Sequence, residues 1–192
     1  LRGSTTASSN TGTSNVAVGY QAMLLNTSGW GNIAVGADAL HDNTSAAYNL
    51  AIGYGALYTN TAKESSIAIG YEAMRYADSA GSGTANNLAI GNSALRGSTT
   101  ASSNTGTENT VVGHGILLNN TTGSINTALG YSAMASNIWG CNNVAVGRSA
   151  LNANTSGGQN VAIGTYSIAT NTEKNDIVAV GYQAMRYADS TS

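Results

Sequence analysis

Residues 14–29 read SNVAVGYQAMLLNTSG, and the chain repeats this stretch with small changes along its 192 residues. Within it, Asn15 precedes Val16-Ala17-Val18, a short alternating run that reads as a strand. Gly19 interrupts the run, as expected where the chain turns or another backbone comes close. A second apolar pair follows, Ala22-Met23, and Asn-Thr-Ser-Gly closes the unit with residues that favour turns. Each unit is thus expected to hold two short strands and two turns.

The core motif, x-Ala-Val/Ile/Leu-Gly, recurs ten times, at Gly19, Gly36, Gly53, Gly70, Gly91, Gly113, Gly130, Gly147, Gly164 and Gly181, with Val111 in the alanine position before Gly113. The interval from Gly19 to Gly36 is kept throughout, except for two longer, adjacent gaps from Gly70 to Gly91 and from Gly91 to Gly113. A fixed period of about 20 residues marks a solenoid built from one supersecondary unit. A helix pair does not fit inside a unit this short, which already contains a glycine and a turn. The expected fold is therefore all-β: a parallel β-solenoid of ten coils, residues 1–192 forming one repeat array cut from a longer protein. Stacked at the spacing of paired strands, about 4.8 Å, the coils make a rod on the order of 50 Å long.

Composition supports order without an ordinary globular surface. Charged residues are 8% and proline and phenylalanine are absent, whereas disordered chains are commonly rich in charge and proline. A net charge of −2 lacks the clustered basic footprint that nucleic acid requires. No apolar run approaches a membrane span, so neither nucleic acid nor membrane insertion is expected of this segment. Cys141 has no partner for an internal disulfide, and the default is a free thiol.

In-register stacking turns each position into a ladder. Four residues before the glycine stand Asn15, Asn32, Asn49, Asn87, Asn109, Asn126, Asn143 and Asn160, with Ser66 and Ile177 as exceptions. Seven after it stand Asn26, Asn43, Asn60, Asn120, Asn137, Asn154 and Asn171. Stacked amides hydrogen-bond to the coils above and below, which makes their expected role structural.

Strand side chains alternate between faces, so the motif alanines share one face and the large aliphatics the other. A thin coil suits alanine inside. The aliphatics then form an outer stripe through Val16, Val18, Ile33, Val35, Leu50, Ile52, Ile67, Ile69, Val144, Val146, Val161 and Ile163. Monomers rarely expose so large a patch, so this stripe is expected to be covered by identical chains around an axis. The alternative is a monomeric solenoid with the aliphatics inside.

Asn-Val-Ala-Val-Gly (15–19) and Ser-Ile-Ala-Ile-Gly (66–70) resemble the head repeat of trimeric autotransporter adhesins of the YadA type. The longer form NVAVGYQAM…NTSG also resembles repeat shafts of bacteriophage tail fibres. The resemblance implies a left-handed parallel β-roll, three identical chains around one axis, and an extracellular place on a virion tail or bacterial surface. The coils here are longer than those typical of adhesin heads, which favours tail fibres or related filaments. No cofactor is implied.

The two long coils carry polar, glycine-rich insertions, ADSAGSGTA (77–85) and RGSTTASSNTGTE (96–108). Arg2, Arg75, Arg96 and Arg186 all occupy the fifth position after the repeat glycine or its equivalent in long coils. Insertions in solenoids map to surface loops and often to binding faces. With Asp78 and Asp189 they are the candidate contact residues, for a cell-surface receptor, a glycan or a neighbouring fibre. The plainer reading pairs Arg75 with Asp78 and Arg186 with Asp189.

Other constellations carry less. Asp38 and Glu72 share a column two coils apart, near the upper separation for inverting glycosidases, but nothing joins them in a catalytic set, and no enzyme is expected. His41 and His114 stand in different columns, which disfavours a metal site. The threonines following the second asparagine ladder could form an ice-binding array, yet each lies in a turn, where hydroxyls serve the backbone. Tyr20, Tyr54, Tyr71, Tyr131 and Tyr182 follow the glycine and could stack on sugars or pack as amphipathic residues. The function expected is a non-enzymatic structural or adhesive fibre module. A secreted filament polymerising end to end is the alternative, with ice or glycan binding third.

Overall fold

A computed structural model describes residues 11–77, 81–99 and 104–188. Among them there is no helix, and the architecture is a parallel β-solenoid. Ten three-residue strands stack into one parallel sheet: β1 (Val16–Val18), β2 (Ile33–Val35), β3 (Leu50–Ile52), β5 (Ile67–Ile69), β7 (Leu88–Ile90), β8 (Thr110–Val112), β9 (Thr127–Leu129), β10 (Val144–Val146), β11 (Val161–Ile163) and β12 (Val178–Val180). Two-residue strands β4 (Lys63–Glu64) and β6 (Gly83–Thr84) pair separately.

Register follows the repeat even where its length changes. Ile67 faces Leu88 and Leu88 faces Thr110, so the extra residues of both long coils leave the main sheet undisturbed. The β4–β6 pair brings the first insertion back onto the preceding coil. At β8 the motif changes: Val111 takes the inward place held by alanine in the other strands and is fully buried.

Each coil holds one strand of the main sheet, not two. The expected second strand at Ala22-Met23 is a ladder of turns. Gln21 and Met23 both have φ of 52°, and the equivalent positions two and four residues after each repeat glycine are left-handed throughout. Alternating conformers cannot extend as a strand. They coil the chain, and their hydrogen bonds alternate too: Ala22 N–H donates to Gly19 O within the turn at 3.4 Å, Met23 N–H to Ala39 O of the next coil at 3.0 Å. A third left-handed site lies five residues before the glycine, at Ser14, Tyr48, Ser65, Ile125 and their equivalents. Stacking is therefore preserved while strand geometry is lost.

The repeat glycine is a close approach. Gly53 has φ of 126°, and a Cβ there would sit 2.4 Å from Gly70 O. No side chain fits between these backbones.

The interior is narrow and small-residued. The strand alanines Ala34, Ala51, Ala68, Ala89, Ala145 and Ala162 are fully buried. Facing them is the buried pair of each turn ladder, such as Ala39-Leu40, Ala73-Met74 and Ala133-Met134. The two asparagine ladders complete the core, with Asn32, Asn43, Asn126 and Asn137 at 0% exposure. A core with this much amide is tolerable only if every amide is bonded.

Apart from Asn43 Oδ1, which is buried without a partner, the ladder amides are bonded by an arrangement the spacing alone did not reveal. In the first ladder the Oδ1 of one asparagine accepts the backbone N–H of the next: Asn126 N–H to Asn109 Oδ1 at 3.0 Å, Asn143 N–H to Asn126 Oδ1 at 3.0 Å. In the second, amide stacks on amide, as from Asn154 Nδ2 to Asn137 Oδ1 at 2.8 Å. The ladders then meet. Gly140 O accepts from Asn126 Nδ2 at 2.9 Å and from Asn137 Nδ2 at 3.0 Å. The same convergence recurs at Gly29 O, Ala46 O, Lys63 O, Gly123 O, Gly157 O and Lys174 O. In these seven coils one carbonyl ties both ladders together across the interior.

Candidate interaction surface

The sheet has one face in the core and one in solvent. Because alanine faces in, the flanking aliphatics face out: Val18 is 57% exposed, Ile33 42% and Val180 67%. Val16, Ile52, Ile67, Val112, Leu129, Ile163 and Val178 are exposed with them. Val35, Leu50, Ile69, Val144, Val146 and Val161 are half-buried by their neighbours along the same face. The third position is aliphatic in every strand of the sheet, and the first in every strand but β8 and β9, where Thr110 and Thr127 stand. No charged residue interrupts these two columns.

Exposed Tyr20, Tyr54, Tyr71, Tyr131 and Tyr182 extend the stripe past the glycine column. Tyr54 and Tyr71 stack at 5.4 Å, and His114 stacks on Tyr131 at 5.2 Å. On the opposite border, Trp30 meets Tyr48 edge-on at 4.3 Å. Stacked aromatics along a column follow directly from the in-register coils, whose separation suits ring packing.

The candidate contact residues separate into two groups. Arg2, Asp78 and Asp189 lie outside the described residues, so the expected Arg75–Asp78 and Arg186–Asp189 pairs fall there too. Arg75 and Arg96 come together on a carboxylate that the spacing argument had weighed only for catalysis. Arg75 Nη1 lies 3.2 Å from Glu72 Oε1, and Arg96 Nη1 lies 3.9 Å from Glu72 Oε2. Arg75 also donates from Nε to the Tyr76 hydroxyl at 3.2 Å, and its guanidinium lies 4.8 Å from the Tyr58 ring centroid and 5.7 Å from that of Tyr54. Gly55 makes room for it, since a Cβ there would meet Arg75 Nη1 at 2.6 Å. Arg186 stands apart, over the rings of Tyr166 and Tyr187 at 5.2 and 5.4 Å.

The electrostatics follow from this crowding. Burial alone would lower the Arg75 pKa, but hydrogen bonds with Tyr76 and Tyr54 and the charge of Glu72 outweigh it and hold it above its usual value. Burial raises the Tyr58 phenol above 10.0, helped by the nearby Asp42 and Asp38 carboxylates. His41 stacks on Tyr58 at 4.8 Å, and its Nδ1 lies 2.6 Å from Asp42 Oδ1. Asp38 and Glu72 are separated by the coil of Gly55, whose free space Arg75 fills. Glu72 is committed to two guanidiniums rather than to a shared reacting atom. His41 and His114 belong to different stacks, and no group of three metal-ligating side chains occurs among the described residues.

Beside Arg96 the second long coil forms an open cleft of about 380 Å³, lined by Arg96, Gly97, Ser98, Thr99, Asn119, Thr121 and Ile138. Ser98 in its wall is braced from behind by Asn104, which the asparagine spacing does not single out. Asn104 Nδ2 donates to Tyr76 O and Ser98 O at 2.6 Å each, and its Oδ1 accepts the Ser98 N–H at 3.1 Å. Its recurrence as Asn10 in the duplicated stretch LRGSTTASSNTGT was the available signal.

The turn threonines present their hydroxyls to the backbone. Thr27, Thr44, Thr121 and Thr155 donate to carbonyls of the following coil at 2.9 to 3.1 Å. Cys141 Sγ accepts the Ser124 N–H at 3.3 Å. No helix of the described residues is long and apolar enough to cross a membrane. No protein-family model, curated protein or solved structure matches this chain.

Proposed function

We propose that this chain is a segment of an extracellular fibre, of the bacteriophage tail-fibre or bacterial surface-adhesin type, in which identical chains pack in parallel through the outer face of the ten-stranded sheet. The observation that carries the reading is the charge-free aliphatic stripe of the two outward strand columns, exposed or half-buried along the ten-stranded sheet. At the spacing of paired strands it is about 43 Å long. Widened by the glycine column and the one after it, where Ala37, Asn92, His114, Arg148 and Thr165 interrupt the tyrosines, it is about 16 Å wide, on the order of 700 Å². That approaches the roughly 800 Å² per partner of a standard interface. Three chains and a left-handed coil are part of the proposal through the sequence resemblance alone. The role is mechanical and adhesive rather than enzymatic: stacked coils resist bending, and the long coils, with Arg75 and the Arg96 cleft, offer contacts to a receptor or glycan.

A second reading is a filament that lengthens by coil-on-coil addition, favoured by a backbone edge that templates any coil of the same period. Glycan binding by the outer aromatics ranks after it. Ice binding is weakened because the turn threonines spend their hydroxyls on carbonyls.

Sedimentation and small-angle scattering test the main reading. An elongated oligomer of fixed stoichiometry is expected, and Val35→Lys/Ile52→Lys should convert it to a monomer with an unchanged circular-dichroism spectrum. A wild-type monomer would overturn it, as would a double variant that still assembles. Open-ended growth with concentration would select the filament.

A further inference from the structure

A stripe made purely of the repeat matches itself at every rung. Sliding one copy past another by one coil, about 4.8 Å, again sets aliphatic against aliphatic and costs only contacts at the ends. Axial alignment between copies must therefore come from positions where the stripe departs from its own period. Thr110 and Thr127 are the two departures in its two strand columns, where the aliphatics lie; the bordering column after the glycine departs at Ala37, Asn92, His114, Arg148 and Thr165. They occupy adjacent rungs, directly paired in the β8–β9 register, and both side chains are exposed on the outer face.

We propose that Thr110 and Thr127 set the axial register between copies of this chain. The proposal rests on the parallel homo-oligomer reading above. In register, threonines of neighbouring copies meet, and each hydroxyl, both donor and acceptor, finds a partner. A slip of two rungs sets Thr110 and Thr127 against Val144 and Val161, or against Ile67 and Leu88. Buried hydroxyls then lose their partners, at about 1–3 kcal/mol each. A polar residue in an otherwise apolar coiled-coil seam fixes register in the same way, and gives up some stability for it. The third column, aliphatic in every strand, supplies adhesion and no address.

The test is disulfide trapping in a Cys141→Ser background. Chains carrying Val18→Cys and chains carrying Ile52→Cys, two rungs apart in one column, are mixed as unfolded protein, refolded together and oxidised. A disulfide needs Cα atoms within about 7 Å, so a link between residue 18 and residue 52 reports a two-rung slip. The wild-type stripe should give 18–18 and 52–52 links only. Thr110→Val/Thr127→Val should raise the 18–52 fraction at least about fivefold, with a thermal midpoint no lower than before. Mixed links in the wild type, or equal-number links alone in the double variant, overturn the register proposal while leaving the oligomer intact. Sedimentation as a monomer, or an oligomer with no link of any kind, overturns instead the reading that copies meet on this face.

Discussion

At the scale of single residues, the structure asks most of its left-handed positions and its ladder amides. Ile125 has φ of 58° and is half exposed, a conformation that a β-branched residue adopts at a cost of about 1–2 kcal/mol. The equivalent residue one coil later is Asn142, at φ 59°. Ile125→Asn should therefore stabilise the protein by about 1 kcal/mol, visible as a higher midpoint in chemical denaturation; a lower midpoint would mean that Ile125 is held by packing. The opposite outcome is expected at Asn126. Its side-chain amide donates to Asn109 Oδ1 and Gly140 O and accepts from Asn143, so Asn126→Ala strands the buried Asn143 N–H and weakens the hold on a shared carbonyl. The expected loss is about 2–5 kcal/mol, measured by the same denaturation. Much of this scale was legible in the sequence: the spacing of Asn15, Asn32 and Asn49 announced a stacked ladder. Their meeting with the Asn26 ladder on one carbonyl was not, because linear spacing contains no distance across a coil.

Among the elements, the strand and the turn ladder divide the work. Val16-Ala17-Val18 was readable because β-branched alternation has one structural meaning. Ala22-Met23 was misread because an apolar pair flanked by polar residues looks the same in a short strand and in consecutive turns. Only the left-handed angles at Gln21 and Met23 separate them, and Gln and Met carry no propensity that signals such angles. The arginine positions were found for their shared offset, but Glu72 as their meeting point needed the third dimension, since Arg96 reaches it from the adjacent coil. The same cluster predicts an alkaline effect. A phenol whose folded pKa is raised by burial and by Asp42 and Asp38 favours the folded state below its ordinary pKa of 10.0, and that contribution is lost as pH rises through the higher folded value. The difference between ultraviolet titrations of wild type and Tyr58→Phe should have its midpoint above pH 10.0; a midpoint at or below it would contradict the packing around Tyr58.

For the whole molecule, stability should be nearly additive along the axis, because each coil contacts only its neighbours. Deleting residues 145–161, one complete period, joins Val144 to Ala162 and leaves every motif in phase. The variant should fold with the same spectrum and be about 5 Å shorter by scattering. Removal of half a coil should unfold the segments on both sides of the junction, and equal tolerance of the two deletions would contradict a stacked repeat. Overall shape was the most legible property of all, since one period set it. The two long coils show how little that period constrains its surface: Ile67 still faces Leu88 across a lengthened coil, so insertions change what the rod displays and not how it stands.

The shared carbonyl of the two amide ladders has a further consequence. In both ladders the oxygen of one coil accepts from the coil that follows it in sequence. The side-chain dipoles therefore add along the rod, and it has an electrical polarity that its nearly balanced charge conceals. During synthesis, a finished coil already holds out two oriented acceptors to the coil not yet made. Such a chain can be laid down in the order in which it is translated, each turn a mould for its successor.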